Sequence, residues 1–509
     1  PEDGPKRGGT VRTAWGATTS NFDMHQGGNS NVLTQMYSNL VRRNPADGVK
    51  EIVPELAIDW EITEGVTQYD FNLREGVKFT DGSDFTADDV VANFERIVNP
   101  PEGNVSPFRS NFNAISGVEA VDDLTVRFNL SEPRVWMFDW FAFPALGLYS
   151  KATLDANNQD LRKLAFAPGT GPFTVNEHLP GEKWILDANP DHWNPNVPYV
   201  DRLEMIHVPN SVDRGTAVLT DQADWSWNVA PETWDEGTTR PDIVTTALAP
   251  SFGGQILYIN NELAPFDDAR VRTAIRLVIN RHDAVLVGRE GGFWYDLGRW
   301  IHPKGEAALS ESELADIPGY RKDHTADIET AKALLAEAGF PDGEGFPDVE
   351  IATPTVPVFS QAFSPFVQDM LGRHLNIDVS IRTYERALEG EELKKDYQLI
   401  VGTLGGRPPT PDHTALWLAN WGTGGSLNFY RYSNPEFDEI TAKLNRTLDA
   451  DERAALFRRG EEILDEDSPA VPLGWISHQL MWRNYVKGLT LDRRAVVEWG
   501  RIETVWLDR

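Results

Sequence analysis

Cysteine is absent from the 509 residues. That excludes disulfides, a thiol nucleophile, thiolate-bound zinc and iron–sulfur clusters within this sequence. It also leaves no Cys to carry an N-terminal lipid, but it does not fix the compartment, because exported proteins can do without disulfides. Long apolar runs are missing too: no stretch of about 18 apolar residues occurs, so no transmembrane helix is expected. Lysine is scarce, at 13 of the 47 basic residues, and 78 acidic residues outnumber them to give a net charge of −31. A field of that sign repels phosphate backbones and anionic headgroups, so neither nucleic acid nor direct membrane insertion is expected. The Lys-poor, acidic balance fits a salt-exposed habitat or simply genome composition. Pro1 brings no Met, basic n-region or apolar h-region; a secretory signal is expected to have been removed.

Enzyme signatures are equally thin. There is no Gly-x-Ser-x-Gly elbow, no phosphate loop and no His-Glu-x-x-His, and the 10 His are scattered. With 78 carboxylates, pairs at glycosidase separation arise by chance, so a secreted hydrolase is kept only as a remote alternative. Asp81, Asp84, Asp88 and Asp89 bunch together but lack EF-hand spacing; a solvated turn leading into a helix explains them. No metal or organic cofactor is expected.

What the chain does have is tryptophan, 17 residues, enough both to fill cores and to line a cleft. Periodicity alternates between strand and helix, which makes the class mixed α/β. Strands are expected over Gly9–Trp15, Tyr69–Arg74 and Leu124–Leu130. Thr86 and Asp89 form a capping box ahead of Val90, Phe94 and Ile97. Asp267 is expected to cap a helix with a Val271, Ala274, Ile275, Val278 stripe and Phe266 as its staple. Further helices are expected over Asp327–Ala338, stopped by Gly339, and from about Asp451 to Leu464. No repeat of 20–50 residues and no long Gly/Ser linker occurs, which suits lobes sharing several chain crossings.

Five segments stand above this background, in order: LAIDWEITEGVTQYDFNLREGVKFTDGSDFTADDVVANFERI (Leu56–Ile97), GTGPF (Gly169–Phe173), YINNELAPFDDARVRTAIRLVINR (Tyr258–Arg281), ETAKALLAEAGFP (Glu329–Pro341) and NFYRYSNPEFDEI (Asn428–Ile440). Together with the opening PKRGGTVRTAW they resemble, over nearly the whole chain, the family 5 extracytoplasmic solute-binding proteins, the peptide, nickel and oligosaccharide receptors of ABC importers. The resemblance implies a two-lobed periplasmic-binding-protein fold of α/β class, with a third, smaller α+β domain inserted near the N-terminus. The first lobe would comprise 1–40, 166–257 and 482–509, the auxiliary domain 41–165, and the second lobe 258–481. It implies a periplasmic monomer that encloses an oligopeptide-like solute or modified amino acid between two lobes by hinge closure and delivers it to permease subunits. An oligosaccharide or opine ligand is the alternative within the family, and a sensory module the alternative outside transport.

Site residues follow from position in that family. The loop Thr18–Gln26 contributes Asn21, Phe22 and His25. Phe108 lies where peptide receptors place an aromatic ring. Trp225 and Trp227 follow Asp224 in a segment that resembles the family's approach to the cleft. Arg407, Asp412, Trp417 and Trp421 are the candidates from the second lobe. Peptide receptors of this family commonly hold the ligand's ammonium with an Asp that precedes Pro. Here Thr410 stands before Pro411, which leaves Asp412 as a substitute and turns the expectation away from simple dipeptides. His25 and His413 stand alone, so nickel is not expected.

Overall fold

The computed structural model describes residues 4–16, 21–28, 30–44, 51–63, 65–104, 106–164, 166–305, 307–355, 358–385, 392–404, 412–489 and 501–509. It divides into two units, Pro1–Ala249 with Gln479–Arg509, and Pro250–His478. The chain passes from one to the other within two long strands, Val244–Ile259 and Ala470–Arg483. The division thus falls at 249/250 and 478/479, where the sequence had suggested 257/258 and 481/482.

In the first unit a mixed sheet runs in the order Ala470–Arg483, Trp225–Trp227, Thr10–Trp15, Arg202–His207, Lys183–Ala188, Phe173–Leu179. Thr10–Trp15 lies parallel to both of its neighbours, with Thr13 opposite Trp225 and Trp15 opposite His207. Its alternating buried residues Val11 and Trp15 join Trp184, Trp225, Trp227 and Trp482 in one apolar cluster, while Ala14 faces the other side with Met481. Residues 57–130 build a separate four-stranded antiparallel sheet, Ala57–Ile62, Gln68–Leu73, Thr125–Leu130, Ile115–Asp122. The period-2 strands bury Tyr69, Phe71 and Leu73 against Phe128 and Phe141. The helix Ala87–Val98 begins at the expected capping box, the Asp89 carboxylate accepting from the Thr86 amide at 2.8 Å.

The second unit carries three parallel strands, Val379–Tyr384, Val349–Pro354 and Leu399–Leu404, the last antiparallel to Gly254–Ile259. The helix with the Val271 stripe starts one residue later than expected. Asp268 is its cap, accepting from the Arg270 amide at 2.8 Å, and the helix spans Ala269–Val278. Arg272 on this helix is buried and donates to the carbonyls of Asp467 and Phe266. The helices Thr325–Glu337 and Ala450–Asp467 lie where periodicity put them.

Candidate functional site

In open α/β sheets, ligands bind beyond the carboxyl ends of parallel strands, where neighbouring connections diverge. The first unit has such a point at Trp15, flanked by the ends of Arg202–His207 and Trp225–Trp227. Trp15 meets Trp225 edge-on at 5.3 Å and Trp227 at 5.8 Å between ring centres. Ser226, on the opposite face, is held by its hydroxyl donating to the Ala14 carbonyl at 2.8 Å, so both Trp side chains share one face. Trp15 donates from Nε1 to the Thr13 hydroxyl. Trp225 is 5% exposed, and its Nε1 has no hydrogen-bond partner among the described residues.

The segment after Trp15 is described from Asn21 onward. Asn21 closes the loop on itself, accepting from the Asp23 amide and donating to the Gln26 carbonyl, both at 3.0 Å. Phe22, half-buried, packs at 5.8 Å from both His178 and Trp184, themselves stacked 3.6 Å apart, and so joins the cluster that holds Trp225 and Trp227. His25 is buried: Nε2 faces the Gly147 carbonyl at 3.0 Å, Nδ1 faces Arg96 at 3.4 Å, and the ring meets Tyr149 edge-on. Burial, reinforced by Arg96, pushes its pKa down to about 3, so the imidazole is neutral. Asp23 is buried as well; desolvation disfavours its charge, but bonds from Arg96 at 2.6 and 3.1 Å outweigh that and hold its carboxyl below the ordinary range. Phe108 sits elsewhere, 1% exposed, in an aromatic group with Trp140 and Phe143.

In the second unit the parallel strand Leu399–Leu404 ends directly before the segment that holds the remaining candidates. Arg407 lies outside the described residues. Asp412 accepts from the Thr414 amide at 2.8 Å and pairs with Arg453 at 2.6 Å. His413 accepts at Nε2 from the His302 amide at 3.0 Å, which places its own proton on Nδ1. Trp417 is fully buried, donating to the Trp300 carbonyl at 3.3 Å and packed on Phe437 and Phe457. Trp421 is also buried, edge-on to Trp300 at 5.4 Å, and its Nε1 has no partner among the described residues.

Phe22, Trp225 and Trp227 thus belong to one apolar cluster of the first unit, and Phe108 packs in a different aromatic group. Trp15, which the sequence reading did not nominate, packs with Trp225 and Trp227 and is the last residue before the nominated loop. A cavity of about 80 Å³ lined by Met36, Thr80, Phe166 and Phe173 is too small for anything but a few waters, and none of the nominated residues lines it. Among the described residues no cluster of His and carboxylates is arranged to hold a metal ion, and no helix is long and apolar enough to cross a membrane.

A family model, bacterial extracellular solute-binding proteins, family 5 Middle, matches residues 51–426. Heme-binding protein A of Haemophilus influenzae is 28% identical over 470 residues, covering 86% of this chain and 81% of that protein. The periplasmic oligopeptide-binding protein OppA of Salmonella typhimurium is 23% identical, covering 91% and 85%. Among solved structures, the ABC transporter-associated periplasmic binding protein DppA of Helicobacter pylori, in complex with the peptide STSA, superposes with a TM-score of 0.78. That match has 26% identity and covers 99% of both chains.

Proposed function

The chain belongs to the bacterial extracellular solute-binding proteins, family 5, and from that premise we propose a receptor that captures a small solute and delivers it to the permease of an ABC importer. Members of this family are extracytoplasmic and bind small solutes. For this chain the solute is an oligopeptide-like compound or a modified amino acid, bound without turnover by a periplasmic monomer that closes on it about its two crossing strands. One observation supports the site most: in one unit Trp227 ends a strand parallel to Thr10–Trp15 and packs on its last residue, Trp15, and in the other the parallel strand Leu399–Leu404 ends directly before the nominated residues 407–421. Relatives described as heme-binding and oligopeptide-binding show that family membership does not fix the ligand.

A thermal-shift screen across peptides, porphyrins, oligosaccharides and amino-acid derivatives tests this. A solute present at about 100 times its Kd stabilises the folded state by about 2.7 kcal/mol, which is readily visible. The expected result is a shift with at least one solute that shrinks in Trp225→Phe and Trp227→Phe. No shift with any class, or chemical turnover of the bound compound, would contradict the proposal.

A further inference from the structure

We infer that Arg96 is a positioning residue for solute capture: from the helix Ala87–Val98 it fixes, through Asp23, the loop Asn21–Gly28 that follows Trp15, and it does so before any solute arrives. This rests on the receptor function and the strand-end site proposed above, and it gives the four-stranded sheet a part in binding.

The helix Ala87–Val98 buries two neighbouring faces. One is apolar, Val90, Phe94 and Ile97, with Phe94 edge-on to Phe128 of the sheet at 4.8 Å. The other is polar. Asp89, Asn93 and Arg96 follow one another at helical spacing and are 6%, 0% and 6% exposed. Each reaches a segment outside the sheet. Asp89 accepts from the Lys151 amide at 2.7 Å, and Asn93 pairs with the carbonyl and amide of Tyr149 at 2.6 and 3.0 Å. Arg96 donates through both terminal nitrogens to the Asp23 carboxylate, at 3.1 and 2.6 Å. A second tie runs through Tyr149, whose hydroxyl accepts from the Met24 amide at 2.9 Å.

The loop has little structure of its own, a single short helical turn over Met24–Gln26. Asp23 caps that turn by accepting from the His25 amide at 3.1 Å, and it also accepts from Gln26 Nε2 at 2.9 Å and from the Leu161 amide at 3.1 Å. With Arg96 added the carboxylate is fully used, so it is an anchor and not a group kept for the solute. Phe22, its neighbour, packs on the cluster that holds Trp15, Trp225 and Trp227. Where Asp23 is held therefore sets where Phe22 lies.

The side chains of the pair are 3% and 0% exposed. Burying two charges is costly, and apolar residues of similar volume would join the helix and the loop as firmly. What the guanidinium fork adds is direction, because two N–H bonds fix an angle as well as a distance. Without it the loop samples other arrangements, and the apparent affinity falls by the fraction of time that the right one is present.

Hydrogen exchange read by mass spectrometry on the full chain compares the parent with three variants. Arg96→Met keeps the stem and loses the fork, Arg96→Lys keeps the charge, and Phe94→Leu loosens the same helix on its apolar face. The expected result is that amides within 21–28, and that of Leu161, exchange at least about tenfold faster in R96M and by a smaller factor in R96K. Those of Gln68–Leu73 and Thr125–Leu130 keep the parent's rate, and Phe94→Leu shows the reverse pattern. The binding arm titrates trialanine, hemin, maltotriose and N-acetylglutamate calorimetrically. Any of them that binds the parent binds R96M about tenfold more weakly, as for a loop rightly placed one time in ten, and binds Phe94→Leu with unchanged affinity. Exchange that rises in loop and sheet alike overturns the inference, and so does an affinity that R96M leaves intact. Should R96M not fold, R96K decides by the same two readouts. A parent that binds none of the four, nor any compound of the wider thermal-shift screen, sinks the receptor function, and exchange alone then decides whether Arg96 holds the loop.

Discussion

Asp412 gives one carboxylate oxygen to Arg453 at 2.6 Å and the other to the Thr414 amide at 2.8 Å, and both side chains of the pair are 7% exposed. Removing one partner of a buried pair leaves the other uncompensated, at a cost of about 3–5 kcal/mol. Asp412→Ala should therefore lower urea stability by that order, and adding Arg453→Met should recover part of it. Unchanged stability with lost solute affinity would instead make Asp412 a ligand contact. His25 carries a pH test. In the unfolded chain it takes up a proton near its ordinary pKa of 6.5, but in the folded chain not until about 3. Its contribution is thus complete above pH 6.5 and is lost as the pH falls from there toward 3, by about 2 kcal/mol at pH 5. Glu461, pushed up to about 7 by burial, has the opposite sign and costs stability as the pH rises from 4.5 to 7. The comparison must therefore be made with His25→Gln, which keeps polar atoms toward Gly147 and Arg96 without titrating. Its unfolding free energy should fall less between pH 7 and pH 5 than that of the parent; equal slopes would refute the assignment.

At the scale of elements, helix Ala450–Asp467 presents Gly460 to the Trp417 ring so closely that an added Cβ would lie 2.2 Å from it. Gly460→Ala should cost about 1–3 kcal/mol by overpacking and Trp417→Ala about 3–5 kcal/mol by leaving a cavity, both read by urea unfolding. The GTGPF turn works by the same close approach: a Cβ on Gly169 or Gly171 would meet the Met36 backbone at 2.1 and 2.3 Å. Such elements were legible in the sequence because their causes are local. Capping at Thr86, the stripe from Val271 to Val278 and the alternating strand around Phe71 each follow from neighbours a few residues away. The shift of one cap from Asp267 to Asp268 shows the limit of that reading, since two adjacent carboxylates offer the same signal. The site was less legible. Whether Asp23 or Asp224 is available to a ligand depends on Arg96 and Arg12, partners brought from distant parts of the chain. Whether a Trp packs or binds depends on which face of the sheet it occupies. Phe108 and Trp225 look alike in sequence, and only the fold assigns one to the aromatic group of Trp140 and Phe143 and the other to the cluster of Trp15 and Trp227.

The whole molecule must fold against its own charge, with 78 acidic residues to 47 basic. Screening shortens the reach of that repulsion from about 14 Å at 0.05 M salt to about 4 Å at 0.5 M. Sodium chloride over this range should raise the unfolding free energy by about 1 kcal/mol or more; a flat or falling Tm would show that the surface pairs already balance the excess. The same molecule is proposed to close on its solute about Val244–Ile259 and Ala470–Arg483, the two strands in which the chain changes units. Closure is favoured only to the extent that the solute binds the closed state more tightly than the open one. Small-angle scattering of the full chain, with and without the solute that gives the largest thermal shift, tests this most directly. The expected result is a smaller radius of gyration at saturation, reversed when the solute is dialysed away. An unchanged radius with a tightly bound solute would contradict a receptor that signals occupancy by closing.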